Sequence, residues 1–225
     1  MTTTASTQLQ TTYRPIAGTL LALLIVGLGL RASFLLWHPP FDADLYDYDT
    51  IAPIRDDWFA MHFFAGAPGV LLAFGSFGML AVLIVGGGRV GRLLAIVGTL
   101  IASMGAMLFA FGLAAEGAAW SWATNPDVID PAAGAALLRG IEGEPLTPLI
   151  LLGSSILIPL GVLIVLAALL VSRRVPRWLI IATVVILLAS ALIPPLPVVA
   201  GVQVVIQSIA LIAIGWFAVR PRTDR

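Results

Sequence analysis

The chain has 225 residues, 60% of them hydrophobic and 11% charged, with a formal net charge of zero. Soluble domains are about 45–50% apolar and about 25% charged, so this apolar surface cannot be hidden in a soluble core and lipid must be the solvent. Zero net charge argues against a nucleic-acid partner, and the lack of cysteine excludes disulfides, thiolate metal sites and thiol catalysis.

Residues 1–14 are rich in Thr and Gln without apolar periodicity, and are expected to form a disordered tail. A membrane domain follows over 15–219, with six apolar runs at roughly 15–37, 58–86, 93–118, 148–171, 178–194 and 198–219. Each approaches the ~20 residues that cross a hydrocarbon core of about 30 Å. Residues 220–225 form a short second tail. The first run, with Arg14 ahead of it, invites comparison with a signal peptide, but it is longer than an ordinary apolar core and no A-x-A site follows.

Between Arg31 of the first run and His62 of the second lies HPPFDADLYDYDTIAPIRDDWFAM, which carries seven charges; both histidines of the chain, His38 and His62, sit in or beside it. Its aspartates Asp42, Asp44, Asp47 and Asp49 suggest a calcium loop, yet the central glycine and closing glutamate of an EF-hand are missing, so a solvated acidic loop is expected. In the loop from Ser121 to Thr147, Pro131 after Asp130 suits the first position of a short surface helix running to Arg139. The last two runs are separated by Pro194-Pro195-Leu196-Pro197, which one continuous helix would not tolerate.

All 12 basic residues are arginine, which with the Ala, Gly, Pro and Val content points to a GC-rich bacterial genome and so to the bacterial plasma membrane. Arg14, Arg89, Arg92, Arg173, Arg174, Arg177, Arg220, Arg222 and Arg225 fall on one side of the six runs. Arg55 and Arg139 fall on the other, with Arg31 inside the membrane. The positive-inside rule then places both termini in the cytoplasm. Trp37, Trp58, Trp120, Trp178 and Trp216 lie near the ends of the runs, as an interfacial aromatic belt requires. Arg89-Val90-Gly91-Arg92-Leu93-Leu94 and Arg174-Val175-Pro176-Arg177-Trp178-Leu179 echo one another; a duplicated hairpin would do this, but Pro68 and Pro159 are out of register, and short cytoplasmic turns attract arginines in any case.

The candidate functional residues form one polar layer in the outer third of the membrane. Arg31 lies six residues before Trp37, about 9 Å deep, while His62 and Glu116 lie four residues from Trp58 and Trp120, about 6 Å deep. Ser154 with Ser155, and Gln203 with Gln207, fall at similar depth. His62 shares a helical stripe with Gly66, Gly69, Ala73 and Ser76, and Glu116 shares one with Gly98, Ala102, Gly105, Phe109 and Gly112. Small-residue stripes are where membrane helices approach closely, so both ionisable groups should face into the bundle. Charges there need partners, and Arg31 with Glu116 is the expected pair.

Three functions fit this layer: a structural or accessory membrane protein whose outer half is pinned by a polar tether, a small transporter or ligand-binding protein, and a membrane enzyme or haem protein. The two histidines are poor evidence for axial haem ligation. H-E-x-x-H, G-x-S-x-G and P-loop patterns are missing, so no catalytic residue, metal ligand or cofactor is assigned. Pro68 and Pro159 permit kinks in mid-span, a feature of transporters and static bundles alike.

His38-Pro39 after the first run, Trp58 with His62 opening the second, and Val175-Pro176-Arg177-Trp178 before the fifth resemble landmarks of a set of small six-span bacterial membrane proteins of unknown function. That resemblance implies an all-α polytopic bundle and carries no site residues across. The partners implied are the lipid bilayer and a further membrane protein of unspecified kind.

Overall fold

The computed structural model describes residues 3–39, 44–86, 88–141, 150, 152–192 and 197–220. Seven helical elements are named here: α1 (Thr3–Trp37), α2 (Tyr48–Val85), α3 (Arg89–Ala123), α4 (Pro131–Ile141), α5 (Leu152–Ser172), α6 (Arg177–Leu192) and α7 (Pro197–Val219). No strand occurs among the described residues. Five stretches are long and apolar enough to cross a membrane: Tyr13–Trp37 in α1, α2, α3, α5 and Gly201–Val219 in α7. α6 is apolar but shorter, at 16 residues. At 1.5 Å per residue these 16 residues span about 24 Å; the last two residues of the 178–194 run, with most of the Pro194–Pro197 connector, lie outside the described ones.

The helices pack as antiparallel neighbours around α2 and α3. α2 touches both α1 and α3, and α3 carries α5 on another face. Contacts are close because backbone meets backbone. A Cβ on Gly69 would sit 2.7 Å from the Arg31 amide nitrogen of α1, and one on Gly98 would sit 2.8 Å from the Gly161 carbonyl of α5. Further along the same face of α3, Gly105 meets Ile158 and Gly153, and Gly112 meets Ile150. Small residues thus let dispersion contacts replace the hydrophobic drive that lipid cannot supply. Large apolar side chains such as Leu100, Met107, Phe111, Ile181 and Ile209 point outward, where lipid solvates them.

Both mid-span prolines follow a π turn. Met61–Gly66 precedes Pro68 in α2, and Leu152–Leu157 precedes Pro159 in α5. A proline lacks the donor for the carbonyl one turn back and its ring crowds that carbonyl. Widening the preceding turn by one residue relieves the clash: the Ala67 amide donates to His62 O, five residues back.

The chain is helical from Thr3, where a disordered tail was expected over residues 1–14. Extending a helix already nucleated by the first span costs little per residue. α2 likewise begins at Tyr48, ten residues before the expected start. Asp47 caps it by accepting from Thr50 N at 3.2 Å, and Asp44 accepts from Tyr46 N at 3.0 Å. Part of the acidic stretch is therefore helix-start and turn chemistry. The surface helix foreseen at Pro131 forms as α4, with Asp130 Oδ1 accepting from Ala132 N at 2.9 Å.

These segments build a cap over one end of the bundle. Trp120 donates from Nε1 to Leu45 O at 2.6 Å, Gly134 of α4 abuts the Ala123 carbonyl, and Ile51 and Leu138 are fully buried. Trp58 and Trp120 are consequently core residues of the cap rather than members of an aromatic belt. Trp37, Trp122, Trp178 and Trp216 are the exposed tryptophans.

Candidate functional site

His62 sits on the π turn of α2, with its ring fully buried. Nδ1 lies 2.8 Å from the Trp58 carbonyl and must donate to it, since a carbonyl only accepts. Nε2 is thereby left as the free ring nitrogen. The ring packs against Trp58 at 4.3 Å between centroids, Phe34 at 5.1 Å and His38 at 5.6 Å. α3 closes the remaining side. Gly117 brings its backbone so near that a Cβ there would lie 2.8 Å from His62 Cβ. The neighbouring Glu116 places Oε2 at 3.9 Å from His62 Nε2, its side chain only 18% exposed.

Arg31 joins a second pair. Its Nη1 donates to Gln207 Oε1 at 3.3 Å, linking α1 to α7, and its guanidinium carbon lies 5.7 Å from the centre of the Phe74 ring. The Arg31–Glu116 ion pair expected from the sequence does not form: Arg31 turns to α7, and α2 packs against both α1 and α3 between them. Gln203, one turn from Gln207, keeps its buried Nε2 without a partner, as do Trp58 Nε1 and His62 Nε2. Ser154 bonds locally, donating to Ile150 O at 2.8 Å and lying 3.4 Å from Ser155 Oγ.

The layer thus resolves into His62 with Glu116, Arg31 with Gln207, an adjacent Gln203, and a separate Ser154. His38, Phe34 and Trp58 were not among the residues that the sequence assigned to this layer. A usable signal existed: Arg31, Phe34 and His38 recur at steps of three and four, as do Trp58, His62 and Gly69 at four and seven. Pro39-Pro40 drew attention to a loop instead of to the helix face running up to it. His38 donates from Nδ1 to Pro39 O at 2.8 Å. Burial pushes its imidazole below the ordinary 6.5, against the upward pull of that hydrogen bond.

Among the described residues no three His, Cys, Asp or Glu side chains are grouped to hold a metal ion. Haem gains nothing from the two histidines either. Phe34 and Trp58 contact both imidazoles, filling the space that a macrocycle between two axial ligands would need. A groove of about 380 Å³ opens between α2 and α3, walled by Phe63, Pro68, Leu71, Met107, Phe111 and Ala114. Its walls are apolar and suit a lipid chain. No family model, curated protein or solved structure matches the chain.

Proposed function

We propose that this chain is a bacterial plasma-membrane protein crossing six times with both termini inside, and that its outer polar layer is a tether serving a structural or accessory role. The observation that carries the tether is the Arg31–Gln207 hydrogen bond, which joins residues 176 apart in the chain. A guanidinium inside a membrane is costly and must be compensated; here the compensation is spent on holding the first helix to the last. Six crossings are supported by connectivity. α6 starts beside the end of α5, while α7 pairs antiparallel with α1, Gly201 near Leu36 and Gly215 near Leu21 and Leu24, which supports a crossing by α6. Both termini inside is supported by the arginines, which gather at Arg14, Arg89, Arg92, Arg173, Arg174 and Arg177, at the helix ends away from the cap.

Cysteines introduced at Asp47 and Arg174 should label from the periplasmic and cytoplasmic sides respectively. Reversed labelling would overturn the orientation. The tether is tested by melting the purified protein without any ligand: Arg31→Leu and Gln207→Leu should each lower the midpoint, and the double variant should lose less than their sum. Additive losses would remove the tether.

A second reading, a small-ligand or ion site, is favoured by one observation: the buried His62 Nε2 aims at Glu116 with no hydrogen-bond donor between them.

A further inference from the structure

We propose that His62 and Glu116 together bind a single exchangeable proton. The Trp58 carbonyl at 2.8 Å can be served only by a proton on His62 Nδ1, so in the neutral ring Nε2 bears a lone pair. Opposite it at 3.9 Å stands a carboxylate oxygen, also an acceptor. His62 Nε2 is buried without a hydrogen-bond partner, and the carboxylate oxygen facing it has no proton to offer. One added proton satisfies both. Whether it rests on Nε2 or on Oε2, it turns the contact into a hydrogen bond once the gap closes by about 1 Å, and it takes the pair from a net charge of −1 to zero.

That charge change is the source of affinity. A lone carboxylate in a low-dielectric site is expensive, and a proton held between it and the imidazole compensates it. Proton binding takes hydronium from the aqueous phase, breaks its O–H bond as an N–H or O–H bond forms on the pair, and leaves water behind. No other reactant is needed.

The surroundings do not supply a competing charge at the contact. Just past the end of α1 the titratable group facing His62 is His38, 5.6 Å away between ring centroids. Arg31 of α1 is engaged with Gln207 and Phe74. Ahead of the π turn on α2, Arg55 pairs with the exposed Asp56, and Asp57 is exposed. Beyond it, Ala67–Val85 contains no titratable residue, and α3 contributes Glu116 itself. The inference needs only this contact, not the number of crossings or the Arg31 tether.

The experiment uses the full chain in lipid nanodiscs with ¹⁵N-labelled histidine and ¹³C-labelled glutamate carboxyls. Only two imidazoles contribute, and a His38→Gln variant leaves His62 alone. As pH falls, His62 Nε2 should pass from a lone-pair to a proton-bearing signal while Nδ1 stays protonated throughout. The Glu116 carboxyl signal should move at the same midpoint, because interacting groups titrate as a pair. In Glu116→Gln, which keeps a neutral donor at the contact, that His62 midpoint should disappear or move by about one pH unit or more. Two separate midpoints, no titration of either group, or an unaltered His62 titration in Glu116→Gln would each overturn the proposal. Should Glu116→Gln fail to fold, the coincidence of the two midpoints in the unmutated chain decides alone.

Discussion

The carboxylate of Glu116 lies 3.9 Å from His62 Nε2, and it reaches that position because Gly117 lets α3 close onto the π turn of α2. A double-mutant cycle on His62→Leu and Glu116→Gln should therefore show coupling, of the order of 0.5–3 kcal/mol for residues in contact. The same cycle on Arg31→Leu and Glu116→Gln should be close to additive, since the two groups share no partner. Thermal melting in detergent reads both. Coupling confined to Arg31 and Glu116 would mean that the two pairs are wrongly drawn.

Gln207→Glu is the most direct probe of the second pair. It converts a neutral acceptor 3.3 Å from the Arg31 guanidinium into a carboxylate, and charge-assisted hydrogen bonds are roughly twice as strong as neutral ones. The variant should melt higher than the unmodified chain, and Arg31→Leu combined with Gln207→Glu should melt lower than Arg31→Leu alone, because the new carboxylate then has no cation. A lower melting point for Gln207→Glu with Arg31 intact would argue that the guanidinium finds its compensation elsewhere.

Much of this fold could be read from periodicity. The stripe of His62, Gly66, Gly69, Ala73 and Ser76 meets α1 at Gly27, Leu30 and Phe34, and Gly98 and Gly105 of the α3 stripe meet α5. What periodicity cannot give is the identity of the facing helix. Arg31 and Glu116 lie at similar depth, so depth alone paired them. The order of packing puts α2 between their helices and assigns each a different partner. Trp58 and Trp120 were misplaced for a related reason. A tryptophan near a helix end fits an interface, but these helices continue outward into a cap that buries both. The π turns had a sequence cause in Pro68 and Pro159, yet a proline predicts a disturbed turn without saying whether it kinks or widens.

The cap should behave as a cooperative piece of the fold. Leu138 is fully buried where α4 covers the end of α3, so Leu138→Ala should cost about 2–5 kcal/mol locally. Protease cleavage within 124–141 should accelerate on intact vesicles from the side bearing the cap, while the membrane helices stay uncut. Trp120→Phe removes the donor to Leu45 O and should act in the same direction by about 0.5–1.5 kcal/mol. Unchanged cleavage in both variants would mean that α4 is not held by these contacts.

His38 makes the stability of that end depend on pH. Burial holds its imidazole below the ordinary 6.5, so the unfolded chain binds the proton more readily than the folded one. The resulting stability is fully present above about 6.5 and is lost as pH falls through the lower folded value. His38→Phe should flatten this part of the profile. Melting curves between pH 8 and pH 5 check it, and an undiminished slope in His38→Phe would rule His38 out.

Gly117 offers the sharpest packing test. A methyl group there would lie 2.8 Å from His62 Cβ, and overpacking of this kind costs about 1–3 kcal/mol. Because the added atom pushes α3 away from the π turn, it should also lengthen the Glu116–His62 contact, so Gly117→Ala should lower both the melting point and the coupling measured between those residues. Gly29→Ala is the matched control, with open space around the new Cβ, and should be neutral or slightly stabilising, as alanine is favoured over glycine within a helix by about 0.5–1 kcal/mol. Equal effects from the two substitutions would show that helix propensity, rather than the close approach at Gly117, governs this site.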